Sequence, residues 1–255
     1  MKKILIAAAG LVAMGIAAPA SAADLGASPL TKAPPVVAAI YDWSGFYVGI
    51  NGGGGSAHAC WDIVSTLGVA IAPAANEGCH DASGGTVGGQ TGYRWQTSRW
   101  VFGLEAQGNW ASFSGSNASL FLTAPSVTNR SKIDAFGLFT GQVGYAANNL
   151  LFYMKGGAAV ATGKYDTSVP VAPGLTFSSA RETRWGATIG VGLEWDFAQN
   201  WSAGAEYDHL FLGHHGVDFA TPAGVIARTD RIGQDVDVGL VRVNYRWGGP
   251  VVAKY

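Results

Sequence analysis

Charge is scarce in this chain. Of its 255 residues only 13% are Asp, Glu, Lys or Arg, about half the share usual in soluble domains. The 16 basic and 17 acidic side chains leave a net charge of −1, so there is no basic excess of the kind that binds nucleic acid. Past the N-terminus, no run of 18 uncharged apolar residues occurs, which excludes a spanning helix there. Cysteine is limited to two residues, too few for a multi-bridge scaffold. H-E-x-x-H, P-loop and G-x-S-x-G patterns are all missing. The glycines at 52–55 precede no helical pattern, so they form no phosphate cradle. These absences lead to the expectation of a protein that is not an enzyme and carries no cofactor or metal.

Glycine and aromatic residues are plentiful instead: 37 Gly, 9 Trp, 9 Tyr and 11 Phe. Lys2 and Lys3, the apolar stretch 4–18 and Ala20-Ser21-Ala22 have the order of a secretory signal with its cleavage site. Residues 1–22 are therefore expected to be a signal peptide. Residues 23–42, with Pro29, Pro34, Pro35 and many alanines but no periodicity, read as an extended periplasmic tether. Residues 43–255 remain for the folded domain.

Between residues 185 and 197 apolar and small or polar side chains alternate almost without error. Trp185, Ala187, Ile189, Val191, Leu193, Trp195 and Phe197 share one face; Gly186, Thr188, Gly190, Gly192, Glu194 and Asp196 share the other. A soluble sandwich would bury the first face, and a membrane barrel would turn it to lipid. Similar runs recur at 45–54, 86–95, 100–112, 133–145, 150–164, 201–211 and 235–247. The run at 133–145 is the least regular, because Phe136 and Leu138 share a face with Asp134, Thr140 and Gln142. Connections alternate between short ones near residues 96–98, 146–149 and 198–200 and long ones at about 55–85, 113–132, 165–180 and 212–234. Trp95, Trp100, Trp195, Trp201 and Trp247 lie beside the short connections, as an interfacial girdle would. The pattern predicts an all-β fold, an eight-stranded antiparallel up-and-down transmembrane β-barrel. Its long loops are expected to face outward from a Gram-negative outer membrane.

The inward positions then gather Arg94, Lys155, Arg184, Arg242 and Arg246 with Glu105, Glu194, Asp196, Glu206 and Asp208. An eight-stranded barrel is just wide enough for side chains to fill it, so these charges read as a paired plug; a selective constriction in a narrow small-solute porin is the alternative. Cys60 and Cys79, in an oxidising compartment, are expected to form a disulfide. Free thiols, or a metal site with His58 and His80, are the alternatives, although the spacing matches no zinc pattern. His214 and His215 in the last long loop are candidate haem ligands, set against ordinary polar loop residues. Arg130, Lys132, Arg181, Arg228 and Arg231 form a candidate cationic rim for lipopolysaccharide phosphates.

Tyr41-Asp42-Trp43-Ser44-Gly45-Phe46-Tyr47-Val48-Gly49 resembles the entry motif of the small outer-membrane immunogenic proteins of rhizobia-like bacteria. Asn244-Tyr245-Arg246-Trp247-Gly248-Gly249-Pro250-Val251-Val252 resembles the closing segment of the same family. The resemblance implies an outer-membrane barrel of the porin or surface-antigen kind, with some relatives described as haem-binding, and implies no catalytic residues. The expected role is structural, in envelope integrity and surface interaction. The expected partners are outer-membrane lipid and lipopolysaccharide, the barrel-assembly machinery and, in the haem-binding alternative, haem. The chain is predicted to continue past its last strand at Trp247, so either Trp247, Tyr245 and Val243 or the terminal Tyr255 would serve assembly.

Overall fold

The computed structural model describes residues 41–123, 126–168, 176–221 and 224–247. The signal, most of the tether, and Tyr255 as an assembly residue lie outside the described residues. Eight strands follow one another: β1 (Gly45–Thr66), β2 (Val69–Thr97), β3 (Trp100–Thr123), β4 (Ser126–Ala147), β5 (Leu150–Ser168), β6 (Thr176–Ala198), β7 (Trp201–Ala220) and β8 (Ile226–Trp247). Each pairs antiparallel with the next, and β1 pairs with β8, closing the barrel. Closure leaves no edge strand, which is what permits a sheet to sit in hydrocarbon. Among the described residues no helix is long and apolar enough to cross a membrane.

The expected facing holds through the membrane-level half of every strand. Ile50, Leu104, Met154, Ile189 and Val241 are exposed on the outside, whereas Asn51, Glu105, Lys155, Thr188 and Arg242 are buried within. Trp100 and Trp110 on β3, like Trp185 and Trp195 on β6, bound the apolar band on each side. Ten residues of tilted strand give it a height of roughly 23 Å, close to the band of known outer-membrane barrels. Trp95, Trp100, Trp195, Trp201 and Trp247 line one rim, with Trp201 and Trp247 both packed edge-on against Tyr245. The turns at this rim hold only two residues each, and Ser98, Asn148 and Asn200 take the positive φ that tight hairpins need.

The opposite ends correct the sequence reading. The segments expected to be long loops are largely continued strand. β1 and β2 run past the membrane to a two-residue turn at Leu67 and Gly68, both at positive φ. β7 and β8 continue together to Ala220 and Ile226, with a bulge between Phe211 and His214. The physical reason is visible on the inner face. Ala57, Ala59, Trp61 and Ile63 alternate inward and are buried although their outward neighbours are small or polar. Water on the outside removes the need for an apolar exterior, so the alternation that marks a membrane strand fades while the ladder persists.

Candidate functional site

Strand β8 serves as a ruler along the bore, because its even-numbered residues from Arg228 to Arg246 all face inward. At the short-turn mouth, Arg246 pairs with Asp196 at 2.7 Å and lies over the Trp43 ring. Trp43 itself is fully buried; its indole N–H donates to the Asn148 carbonyl at 3.2 Å. With Val101, Ala146, Leu151 and Tyr153 it forms an apolar cap across this opening.

Above the cap lies the predicted charge layer. Arg242 reaches both Glu105 and Glu206. Lys155 contacts Glu206 at 2.7 Å, Asp208 at 3.2 Å and Glu105 at 3.5 Å. Arg94 pairs with Glu194 at 2.8 Å and also donates to Gln142. Two tyrosines complete the layer. Tyr47 Oη–H donates to Glu105 at 2.6 Å, and Tyr153 Oη–H donates to Glu206. Each ring lies across a glycine at the facing cross-strand position, Gly92 for Tyr47 and Gly192 for Tyr153, where a Cβ would collide with it. Beside these charges Gln90, Asn51, Asn109, Gln107 and Asn244 form a chain of amide hydrogen bonds.

The next layer is not polar. Leu240, Val238 and Val236 of β8 meet Phe113, Ile133, Phe136, Leu138, Leu210 and Leu212 in a buried apolar plug. This explains why the alternation of β4 is irregular: Phe136 and Leu138 point inward because the bore there is dry. Higher still, Trp61 packs with Tyr165, Val217, Phe219 and Ile232. Above them Arg228 pairs with Glu77 at 2.6 Å and with Asp230, while Asn129 donates to Glu77 at 2.9 Å. Burial pushes the Asp230 carboxyl up to about 7, against the pull of Arg228.

Seven of the ten predicted lumen charges therefore meet in one membrane-level network, and Arg246 with Asp196 forms a separate pair at the short-turn mouth. Arg184 is inside the barrel but apart from both, bonded to Glu182 and the Ile232 carbonyl and lying over Tyr165. Arg228, expected on the outer rim, is a correction: it is buried inside, because it keeps the inward parity of β8 and meets two buried carboxylates. Arg130 and Arg231 are exposed. Lys132 and Arg181 are also outward, both on Asp134, at 2.9 and 3.3 Å. Cys60 and Cys79 are disulfide-bonded as direct cross-strand partners. His80 points inward to Asn117, away from His58, so these two imidazoles do not share a site; burial lowers the His80 pKa. His214 is exposed and His215 half-buried on consecutive positions of β7. Consecutive strand positions face opposite sides, so the two rings do not converge on one iron. Sequence reasoning missed Tyr47, Tyr153, the apolar plug and the Glu77–Arg228–Asp230 group. The unbroken even parity of β8 was the signal for Arg228 and Asp230.

A closed eight-stranded ring, an apolar belt with aromatic rims and a polar, filled bore together define an outer-membrane β-barrel. The chain belongs to the family described as "Outer membrane protein beta-barrel domain", which it matches over residues 7–246. It is 29% identical over 222 residues to the 31 kDa outer-membrane immunogenic protein of Brucella melitensis, covering 84% of this chain and 88% of the relative. Among solved structures it is similar to the attachment invasion locus protein Ail of Yersinia pestis, with 15% identity and a TM-score of 0.37. That match covers 80% of this chain and 99% of Ail. It is also similar to OprG of Pseudomonas aeruginosa, with 11% identity, a TM-score of 0.42, and coverage of 82% and 98%. The protein resides in the Gram-negative outer membrane.

Proposed function

We propose that this barrel is a closed, non-enzymatic element of the outer membrane, which stiffens the envelope and presents a rigid surface hairpin array. The observation that carries this reading is the stacking inside the bore. An apolar cap, a charge network flanked by an amide chain, and an apolar plug follow one another, with no continuous polar path among the described residues. An ion crossing the plug would shed its water among leucines and phenylalanines, which is prohibitive without compensating dipoles. Liposome swelling with sugars of graded size tests it: flux equal to that of protein-free vesicles is expected, and size-graded flux would overturn it.

Lipopolysaccharide is the proposed surface partner. Lys132, Lys164 and Arg181 occupy one continuous cross-strand row over β4, β5 and β6, all facing outward. The row lies four residues above Trp185 on β6, roughly 10 Å beyond the apolar band. Like charges in direct opposition destabilise a sheet, and Asp134 neutralises only part of them. A lipid phosphate at that height would relieve the rest. Lys164→Glu is expected to reduce lipopolysaccharide retained through purification severalfold, with a weaker salt dependence; unchanged retention would remove the row as the contact.

A further inference from the structure

The disulfide does not stand alone. Cys60 and Cys79 form one rung of the β1–β2 ladder, and His58 and Asp81 form a neighbouring rung on the same outward face. This face lies well above the apolar band, in water. The His58 Nδ1–H donates to Asp81 Oδ1 at 2.7 Å, which fixes the ring and leaves Nε2 turned to the Cys60 sulfur, 3.4 Å away. Carboxylate, imidazole and sulfur thus stand in the order used to activate a thiol. The two sulfurs differ: Cys79 is exposed, whereas Cys60 is half-buried beside the imidazole. The crosslink also joins residues that the ladder already holds, since pairing runs unbroken from Gly45↔Arg94 to Trp61↔Gly78. The bond can open without the hairpin losing register.

We propose that His58, Cys60, Cys79 and Asp81 form a surface thiol–disulfide exchange site for a low-molecular-weight thiol. The incoming thiol loses its proton to His58 Nε2 and attacks Cys79 Sγ, forming a new S–S bond there. The Cys60–Cys79 bond breaks with its electron pair passing to Cys60 Sγ, and His58 returns the proton to that sulfur. One thiol and one disulfide become a mixed disulfide on Cys79 and a free thiol on Cys60, so no external oxidant is needed. Leaving-group protonation accelerates such exchange and selects which sulfur leaves. Asp81 is a positioning residue, acting through the ring. The other charged groups near His58 are Asp235, its partner on β8, Asp62 and Arg231 further along the same face, and His80 behind the sheet.

The test uses the full folded barrel in detergent with limiting reduced glutathione, then alkylation of remaining thiols and peptide mapping after cleavage at Trp61, which separates the two cysteines. Glutathione on Cys79 and alkylation on Cys60 are expected in at least fivefold excess over the reverse. His58→Gln is expected to slow exchange about tenfold at neutral pH and to erase the imidazole inflection in the pH–rate profile. Asp81→Asn is expected to cost less rate than His58→Gln, and Asp81→Glu, which keeps the carboxylate, is expected to recover most of that loss. Unboiled migration in SDS confirms that each variant retains the barrel. Equal labelling of both sulfurs, preferential thiolation of Cys60, or a His58→Gln rate and pH profile equal to wild type would each overturn the proposal.

Discussion

Arg242 is the residue on which the lumen's charge converges. Its guanidinium serves Glu105 and Glu206 at once and lies near the Tyr153 ring, with every partner buried. A buried ion pair adds little over an apolar substitute, but removing one member strands the other. Arg242→Ala is accordingly expected to cost about 3–5 kcal/mol, read as a lower urea midpoint in detergent. The triple variant Arg242→Met, Glu105→Gln, Glu206→Gln is expected to recover most of that loss, because no charge is left unpaired. Failure of the triple variant to recover would mean the network does more than balance charge. Asp230 gives a second test, outside the membrane. Its folded pKa is raised to about 7 by burial, above the ordinary aspartate value near 4. The folded state therefore holds the proton more tightly than the unfolded chain, and this group's contribution to stability falls as pH rises from about 4 through 7. The slope is at most about 1.4 kcal/mol per pH unit. Asp230→Asn is expected to flatten the dependence of the unfolding midpoint over that window; a parallel profile would contradict the assignment.

Among the elements, the β5–β6 pairing shows how backbone and side chain cooperate. Gly192 leaves a gap in the inner wall, Tyr153 lies across it, and the hydroxyl is thereby aimed at Glu206. Gly192→Val is expected to displace the ring, break that hydrogen bond and destabilise the barrel by about 1–3 kcal/mol, as overpacking does elsewhere. The measurement is the unfolding midpoint, compared with Tyr153→Phe, which removes the hydroxyl alone. Elements also decide what could be read from the chain. At membrane level the two faces meet different media, so the alternation of Trp185 to Phe197 was sharp enough to name each side chain's direction. Beyond the membrane both wall faces tolerate small residues, and stretches such as 55–60 read as loop although they are strand. A cation near a strand end usually seeks solvent, which is why Arg228 reads as a rim residue. Its even parity with Arg242 and Arg246 pointed the other way.

The whole molecule joins three features: an apolar exterior about one bilayer high, a bore filled in layers, and strands that rise well past the membrane. The first was foreshadowed by the Trp positions and the alternating faces; the third was not, because the segments that continue the strands read as long loops. The second was legible only in part. The paired charges followed from inward parity, whereas the apolar plug did not, because a leucine facing a bore breaks the expectation that lumen residues are polar. That plug is nonetheless what the proposed closed barrel depends on. Phe136, Leu138, Leu210 and Val238 are each buried inside it. Single-channel recording in planar bilayers, in concentrated potassium chloride, measures its effect directly because potassium is smaller than any sugar. The account predicts a baseline indistinguishable from protein-free membrane for the wild type. Discrete, reproducible conductance steps from the wild-type barrel would contradict it.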